Sequence, residues 1–162
     1  MKSLQIQTRY LTERDYPSFK NLFEILDEYH CKALPDLFKN PKTTFRTKEH
    51  FLKWFNDPAI SFIGAECNNE IVGIIQLVKK SILGTYPIQL SREVLLIDNL
   101  IVSPKMREKG IGRKLIERAL ELAKESNIIN VELHVFEFNT DAIEFYKGLG
   151  FETQSRRMSL NL

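Results

Sequence analysis

The residues best suited to chemistry lie in a glycine-rich turn, Gly110-Ile-Gly112, between a predicted strand and a predicted helix. Glycine adopts positive φ and lets backbone amides approach a ligand closely. The first N–H groups of a helix have no partner within it and the helix dipole is positive there, so this turn is suited to bind phosphate. Cationic side chains surround it: Arg107, Lys109, Arg113 and Lys114. A glycine-rich turn with solvated Lys and Arg that binds nothing is the alternative that these residues leave open.

Two nucleotide-binding sequences do not match this turn. A dinucleotide fingerprint requires G-x-G-x-x-G, but the third glycine position is Leu115. A P-loop requires Gly-Lys-Ser/Thr after the glycines, and that tripeptide is missing. The turn therefore fits neither of these nucleotide-binding folds.

Asp98 and Asn99 interrupt an otherwise apolar stretch, residues 94–102. Polar residues in such a strand must be hydrogen-bonded or be retained for function at a cost in stability. In a regular strand Asp98 shares a face with Leu96 and Leu100. The pattern leaves open a structural carboxylate, one that orients a substrate, and one that accepts a proton.

Asn139 and Tyr146 belong to a short predicted helix. Asparagine is a favourable N-cap and a helix begins directly after Asn139, so capping alone explains this residue. Tyr146 follows Ala142 by four and Ile143 by three, which places it on the apolar face as a core residue. A tyrosine with a pKa of about 10 is also protonated at neutral pH and is able to act as an acid.

Hydrophobic periodicity predicts the elements that position these residues. Helices are predicted over residues 15–29, 47–56, 111–125 and 141–147. Strands are predicted over residues 60–66, 70–79, 93–102, 131–138 and 158–162. Asn68-Asn69 indicates a hairpin, and prolines indicate loops over residues 30–46 and 81–92. The strand–helix–strand–helix order over residues 93–147 predicts a right-handed parallel crossover in a mixed sheet.

The composition is that of one domain spanning residues 1–162. Hydrophobic residues make up 43% and charged residues 27%, which is typical of a soluble globular protein. A net charge of only +2 argues against a nucleic-acid partner. No apolar run reaches the length of a membrane span, so a membrane partner is not expected.

The cysteines and histidines form no recognisable metal or disulfide pattern. Two cysteines cannot make a disulfide framework, which predicts a reducing, cytoplasmic location. The three histidines lie far apart, and neither CxxC nor HExxH occurs, so no metal is expected. His30, Cys31 and His134 are interpreted as packed or surface residues, and Arg156-Arg157 as a solvated strand edge.

Two segments carry a resemblance to a known family. Arg107-Glu-Lys-Gly110-Ile-Gly112 resembles the Arg/Gln-x-x-Gly-x-Gly/Ala acyl-CoA pyrophosphate loop of the GNAT N-acetyltransferase family. Residues 139–151, Asn-Thr-Asp-Ala-Ile-Glu-Phe-Tyr-Lys-Gly-Leu-Gly-Phe, resemble its second signature, Asn-x-x-Ala-x-x-Phe-Tyr-x-x-x-Gly-Phe. Two motifs in the right order and spacing are more specific than either alone. The resemblance is sharp over residues 93–152 and loose over the rest of the chain.

The resemblance implies an α/β acyl-CoA N-acyltransferase (GNAT) fold, with a central mixed sheet of about six or seven strands, splayed at its middle and flanked by helices. It implies that acetyl-CoA lies across the turn and the splayed strands. The pyrophosphate would be held at Arg107, Glu108, Lys109, Gly110, Ile111, Gly112 and Arg113. Pantetheine would bond the main chain of Leu100, Ile101 and Val102 and the side chain of Asn139, and one strand amide would polarise the thioester carbonyl.

By the same resemblance, Tyr146 would protonate the departing thiolate, and Asp98 would take a proton from the amine. Family members often place Glu near position 98, so the shorter Asp leaves a structural or orienting role equally open. The expected function is acetyl transfer from acetyl-CoA to a primary amine of a small molecule or protein by direct attack. A non-catalytic acyl-CoA-binding regulatory module and an unrelated phosphate- or nucleotide-binding module are the alternatives. The acceptor is not specified, and a homodimer is left open.

Overall fold

The computed structural model describes residues 5–39, 46–84 and 86–160. Its regular elements, in chain order, are β1 (Ile6–Tyr10), α1 (Tyr16–Ala33), α2 (Lys48–Phe55), β2 (Ile60–Cys67), β3 (Glu70–Ile82), β4 (Arg92–Val102), α3 (Ile111–Glu125), β5 (Asn130–Leu133) and α4 (Thr140–Lys147). Short 3-10 turns precede α1 and α3. Within the described ranges, no helix combines the length and the apolar character needed to cross a bilayer.

The strands form one mixed sheet in the order β1-β2-β3-β4-β5. The first four strands are antiparallel to their neighbours, and β5 lies parallel to β4. The helix α3 makes the crossover between β4 and β5, which confirms the predicted parallel unit. The predicted mixed sheet flanked by helices is therefore correct.

Three details of the sheet differ from the prediction. The strand β1 was not predicted, and β5 ends at Leu133 rather than at residue 138. The closing strand over residues 158–162 is wrong in its described part, because residues 151–160 form no regular element and Met158 and Leu160 are 87% and 83% exposed. The described sheet therefore has five strands, not six or seven. Alternating apolar residues form a strand only where a neighbouring strand is free to pair with them and a core buries their side chains.

Arg9 explains why β1 is held at the sheet edge. Its guanidinium donates to Glu66 on β2 at 2.6 Å and to both carboxylate oxygens of Asp15 at 2.8 and 2.9 Å. The hydrogen bonds from Arg9 lower the pKa of Asp15 to about 2. Asp15 also accepts from the Thr12 N–H, so its side chain closes the 3-10 turn and makes no capping hydrogen bond to α1.

Each face of the sheet has its own apolar core. The helices α3 and α4 cover one face, where Leu115, Ile116 and Ala119 are fully buried. The helices α1 and α2 cover the other, where the rings of Phe19 and Phe51 lie 4.7 Å apart. Burial on both faces explains why β2, β3 and β4 read as nearly continuous apolar runs.

A β-bulge interrupts β4 at the two polar residues. Gln76 of β3 lies opposite Asn99, while the next residue of β3, Leu77, lies opposite Ile97, so Asp98 is the extra residue. The bulge reverses the alternation of side chains along β4. Leu95 and Ile97 face the α3 side before it, Leu100 and Val102 face that side after it, and Ile101 enters the α1 side.

Asn99 stabilises the bulge. Its amide donates to the Gln76 side-chain oxygen at 2.8 Å, and Gln76 is a buried polar residue, only 2% exposed. Asp98 instead lies exposed and accepts a longer bond from Asn99 at 3.3 Å. The two polar residues thus differ: Asn99 satisfies a buried group, whereas Asp98 faces solvent.

We expect Asn99→Ala to lower the free energy of unfolding by about 1–3 kcal/mol, because it leaves the buried Gln76 oxygen without its donor. Asp98→Ala is the matched control and should stay within about 0.5 kcal/mol of wild type, as exposed positions usually do. Urea denaturation followed by circular dichroism measures both. Equal losses in the two variants would contradict this division of roles.

Candidate functional site

The candidate site begins where β4 and β5 stop pairing. Their parallel register ends at Ile97 opposite Leu133, whereas β4 continues beside β3 as far as Val102. Main-chain groups of a strand point alternately to its two sides. Past Ile97, the main-chain groups of β4 that point away from β3 therefore have no partner strand. They face the space between β4 and the segment that follows β5. We call this space, bordered by residues 98–102 and 134–138, the fork.

Leu100, Ile101 and Val102 border the fork with their main chain. The side chain of Ile101 is buried on the α1 side, and those of Leu100 and Val102 pack on the α3 side. Pairing between β4 and β5 thus ends before these residues, in the region where the resemblance implies a splay. The Val102 carbonyl accepts a long bond, 3.4 Å, from the Arg107 Nε.

The glycine-rich turn follows directly at the end of β4. Arg107 is extended, Glu108 has a φ of 62°, and Gly110 has a φ of 76°. The buried Ile111 begins α3, and the Lys114 N–H makes its first helical bond, to the Gly110 carbonyl at 3.1 Å. The N–H groups of the first three helical residues thus have no acceptor inside the helix. They form the positive end of a 15-residue helix.

The two glycines of the turn are needed for different reasons. Gly110 is left-handed, a conformation that costs other residues roughly 1–2 kcal/mol, and the space beside it is open. Gly112 has no such backbone demand. A Cβ there would lie 3.2 Å from the Phe145 ring of α4, so this glycine lets α4 approach the start of α3.

The cations around the turn are not equivalent. The Lys114 ammonium bonds the Ile6 carbonyl of β1 at 3.2 Å, so it does not serve the turn as the sequence suggested. The Lys109 ammonium folds back on the Lys105 carbonyl at 3.0 Å. Arg107, Lys109 and Arg113 are all exposed, as is Glu108. The turn therefore keeps an excess of positive charge beside the free N–H groups.

Asn139 caps α4, as predicted. Its side-chain oxygen accepts from the Ala142 N–H at 3.4 Å and from the Tyr29 hydroxyl at 3.2 Å. The second bond was not predicted, since Tyr29 lies on α1, 110 residues away in sequence. Asn139 therefore connects the helix after the fork to the helix on the opposite face.

Tyr146 lies on the face of α4 that packs against the α3 side of the sheet. Its ring is half-buried, 5.3 Å from the Phe145 ring and 5.7 Å from the Phe151 ring. Burial raises the pKa of Tyr146 to about 12, because the phenolate is poorly solvated there. The hydroxyl is therefore protonated at neutral pH. Since the Phe145 ring approaches Gly112, the helix that carries Tyr146 packs near the start of α3.

Asp98 stands at the point where the fork opens. It is the bulged residue directly after Ile97, the last residue of β4 that pairs with β5. Its exposed carboxylate is accessible to a substrate as well as to water. The bulge therefore leaves an exposed carboxylate on β4 at the level where its pairing with β5 ends.

The other polar residues considered from the sequence differ in their surroundings. His134 is exposed. Arg156 pairs with Glu137 at 3.1 Å, and both are exposed. Among the described residues, no three His, Cys, Asp or Glu side chains gather as metal ligands would. His30, interpreted from sequence as a packed or surface residue, lies within a group of aromatic rings that no periodicity indicated.

Comparison with known proteins gives one family. The sequence profile of the acetyltransferase (GNAT) family matches residues 19–151. An uncharacterised N-acetyltransferase of Methanocaldococcus jannaschii is 38% identical over 97 residues, which is 60% of this chain and 36% of that protein. The peptidyl-lysine N-acetyltransferase YjaB of Salmonella typhimurium is 40% identical over 60 residues, 37% of this chain and 38% of that protein. The matched segments thus span little more than a third of these relatives.

Solved structures share the architecture. The tetramutant of a Bacillus halodurans protein, BH1408, superposes with a TM-score of 0.89 at 25% identity and covers 96% of this chain and 99% of that one. An aminoglycoside N-acetyltransferase in complex with CoA superposes with a TM-score of 0.75 at 13% identity, over 99% of this chain and 97% of that one. The latter likeness is one of fold alone.

Proposed function

The chain belongs to the GNAT acetyltransferase family, and from this premise we propose that it transfers the acetyl group of acetyl-CoA to a primary amine of a small molecule or peptide. One observation carries the proposal: the fork opens directly onto the glycine-rich turn. A ligand that is an amide chain at one end and a diphosphate at the other would match both features. Acetyl-CoA has this form. Cys31 and Cys67 are free thiols, which supports a reducing compartment such as the cytoplasm.

The residues of the turn fit a diphosphate. The free N–H groups at the start of α3 would donate to its oxygens, and the cationic side chains of the turn would balance its charge. The open space beside Gly110 leaves room for a close backbone approach. The cradle would comprise Arg107, Glu108, Lys109, Gly110, Ile111, Gly112 and Arg113.

The fork would hold the pantetheine arm. Its amides would bond the main chain of Leu100, Ile101 and Val102 as an added strand does, and Arg107 would give up its long bond to Val102. The Asn139 amide would add a bond while its oxygen remains the helix cap. A main-chain N–H of this strand would polarise the thioester carbonyl.

In the reaction, the amine nitrogen attacks the thioester carbonyl carbon, the new C–N bond forms and the C–S bond breaks. Tyr146 is suited to give its proton to the leaving thiolate, since its hydroxyl is protonated and its helix packs near the start of α3. Asp98 would take the proton that the ammonium must lose, directly or through water. Once the C–N bond has formed, the nitrogen would lose its second proton and Tyr146 would regain the one that it gave. Holding both molecules together supplies the orientation, so no covalent enzyme intermediate is needed.

The alternative of a non-catalytic acyl-CoA-binding module is less well supported. A module that only binds acyl-CoA needs neither a protonated phenol beside the turn nor an exposed carboxylate at the fork. A phosphate- or nucleotide-binding module outside this chemistry conflicts with the family match. The enzyme is therefore the function that these groups favour.

The first prediction of this proposal concerns the turn. Gly110→Val should weaken acetyl-CoA binding at least about tenfold, since even 1.4 kcal/mol of lost interaction has that effect. Gly150→Val is the matched control, because Gly150 also has a positive φ, 91°, with open space beside it, but lies after α4. Calorimetry measures acetyl-CoA affinity in the folded variants. Unchanged affinity in the Gly110 variant would reject the turn as the cofactor site.

The second prediction concerns the acid. Tyr146→Phe removes only the hydroxyl and should lower kcat on the order of 10²–10⁴-fold when chemistry limits the rate. Acetyl-CoA affinity should change little. The control is Tyr10→Phe, which alters an exposed hydroxyl on β1. Thiol release at saturating substrate measures kcat, and wild-type turnover in the folded Tyr146 variant would assign the acid to water or another group.

The third prediction concerns the base. Asp98→Asn keeps the shape of the side chain and should lower turnover at neutral pH. The deficit should shrink at high pH, where the amine is already neutral. The pH profile of kcat/KM measures the effect. A stable variant with full turnover and an unchanged profile would remove Asp98 from the mechanism.

A further inference from the structure

Five side chains at the end of α1 and beyond β5 form what we call the aromatic cluster: Tyr29, His30, Phe38, Phe136 and Phe138. The His30 ring stacks on Phe38 at 5.1 Å and meets the edge of Phe136 at 5.5 Å. The Phe136 and Phe138 rings lie 5.8 Å apart. Three separate segments of the chain therefore converge on one aromatic surface.

The aromatic cluster borders the fork. Phe136 and Phe138 lie on its diverging arm, residues 134–138, just past the last paired residue of β5. The other members come from α1 and the loop after it, on the face of the sheet opposite to α3 and α4. If one ligand enters the fork from the α3 side, the α1 side remains free for the second substrate. Direct attack requires the two substrates to approach from different directions.

Part of the aromatic cluster is accessible and held in place. The residues Tyr29 and Phe136 are each 40% exposed, whereas the other three are more covered. The Tyr29 hydroxyl donates to Asn139, which orients its ring towards the helix after the fork. Aromatic faces attract cations and also bury apolar groups.

Among the described residues, two carboxylates next to the aromatic cluster are held by arginines. Asp27 on α1 is paired with the Arg46 guanidinium through two bonds of 2.8 and 3.0 Å. Glu137, between the two phenylalanines, is paired with Arg156. Burial lowers the pKa of His30 below 6.5, so its ring is neutral at pH 7. Glu28, next to Tyr29 on α1, pairs with Lys32 at 3.9 Å, and Asp36 on the loop after α1 is exposed.

We propose that the aromatic cluster is the acceptor wall of the enzyme, and that it selects a primary amine with a single positive charge and an aromatic or long alkyl body. The inference rests on the proposed function and specifies its substrate class. The amine would reach Asp98 while its body packs on Phe136 and Tyr29. A polycation such as an aminoglycoside or a polyamine would need several unpaired carboxylates, and Asp27 and Glu137 beside the wall are both paired to arginines.

The experiment compares acceptors by thiol release at saturating acetyl-CoA. 2-Phenylethylamine and hexylamine represent the proposed class, spermidine and kanamycin are the polycations, and ethanolamine is a small amine without an apolar body. We expect kcat/KM for the first pair to exceed that of the polycations at least tenfold. A preference for spermidine or kanamycin would overturn the inference while leaving the proposed function in place.

The wall itself is tested by substitution. Phe136→Ala should raise the KM for 2-phenylethylamine about 5- to 30-fold, as expected for the loss of one aromatic contact of about 1–2 kcal/mol. Its acetyl-CoA affinity and its KM for ethanolamine should not change. The matched control is Tyr86→Ala, which removes an exposed ring on the loop between β3 and β4. If Phe136→Ala fails to fold, Phe136→Leu keeps the apolar volume without the ring face.

Three further results separate the proposals. An unchanged KM for 2-phenylethylamine in the folded Phe136 variant would overturn the acceptor wall alone. Absence of thiol release with every amine, in protein that binds acetyl-CoA, would overturn the proposed enzyme and the inference with it. Failure to bind acetyl-CoA would overturn the proposed function at its first step.

Discussion

The loss of pairing on one side of β4 is the constraint on which the arrangement depends. A strand inside a sheet normally satisfies its main-chain groups on both edges, because unpaired groups away from water are costly. Beyond Ile97 the strand β4 has only β3 beside it. The bulge at Asp98 lets this half-paired segment keep apolar side chains on both faces. The fork is thus open to a ligand, while the apolar cores on both faces of the sheet remain packed.

The two faces of the sheet divide the chemistry between them. The α3 side carries the helix N-terminus, the cations of the turn and the phenol of Tyr146, all suited to an anionic thioester and its leaving group. The α1 side carries the aromatic cluster, beside which Asp27 and Glu137 are paired with arginines. Contacts through the fork, such as that between Tyr29 and Asn139, couple the two faces. An acetyl transfer by direct attack requires this separation, since both substrates must be held at once.

Local patterns were sufficient for most elements. The helices α1 to α4, the hairpin of β2 and β3, and the parallel crossover follow from periodicity and turn residues, which act over a few neighbouring positions. The strand β1 was not predicted, because it is stabilised by pairing with β2 and by the contact of Arg9 with Glu66, 57 residues away. The closing strand was predicted from three alternating apolar residues, but residues 158–160 lie outside any core.

By itself the sequence determined the features that depend only on neighbouring residues. These are the positive φ of Gly110, the cap at Asn139 and the apolar face that holds Tyr146. Only the tertiary structure decided that Asp98 is a bulged, exposed residue, that Gly112 makes room for Phe145, and that five aromatic side chains meet beside the fork. These facts depend on register and on packing between segments far apart in the chain. Such contacts are set by the sum of many interactions across the fold, which no spacing along one segment encodes.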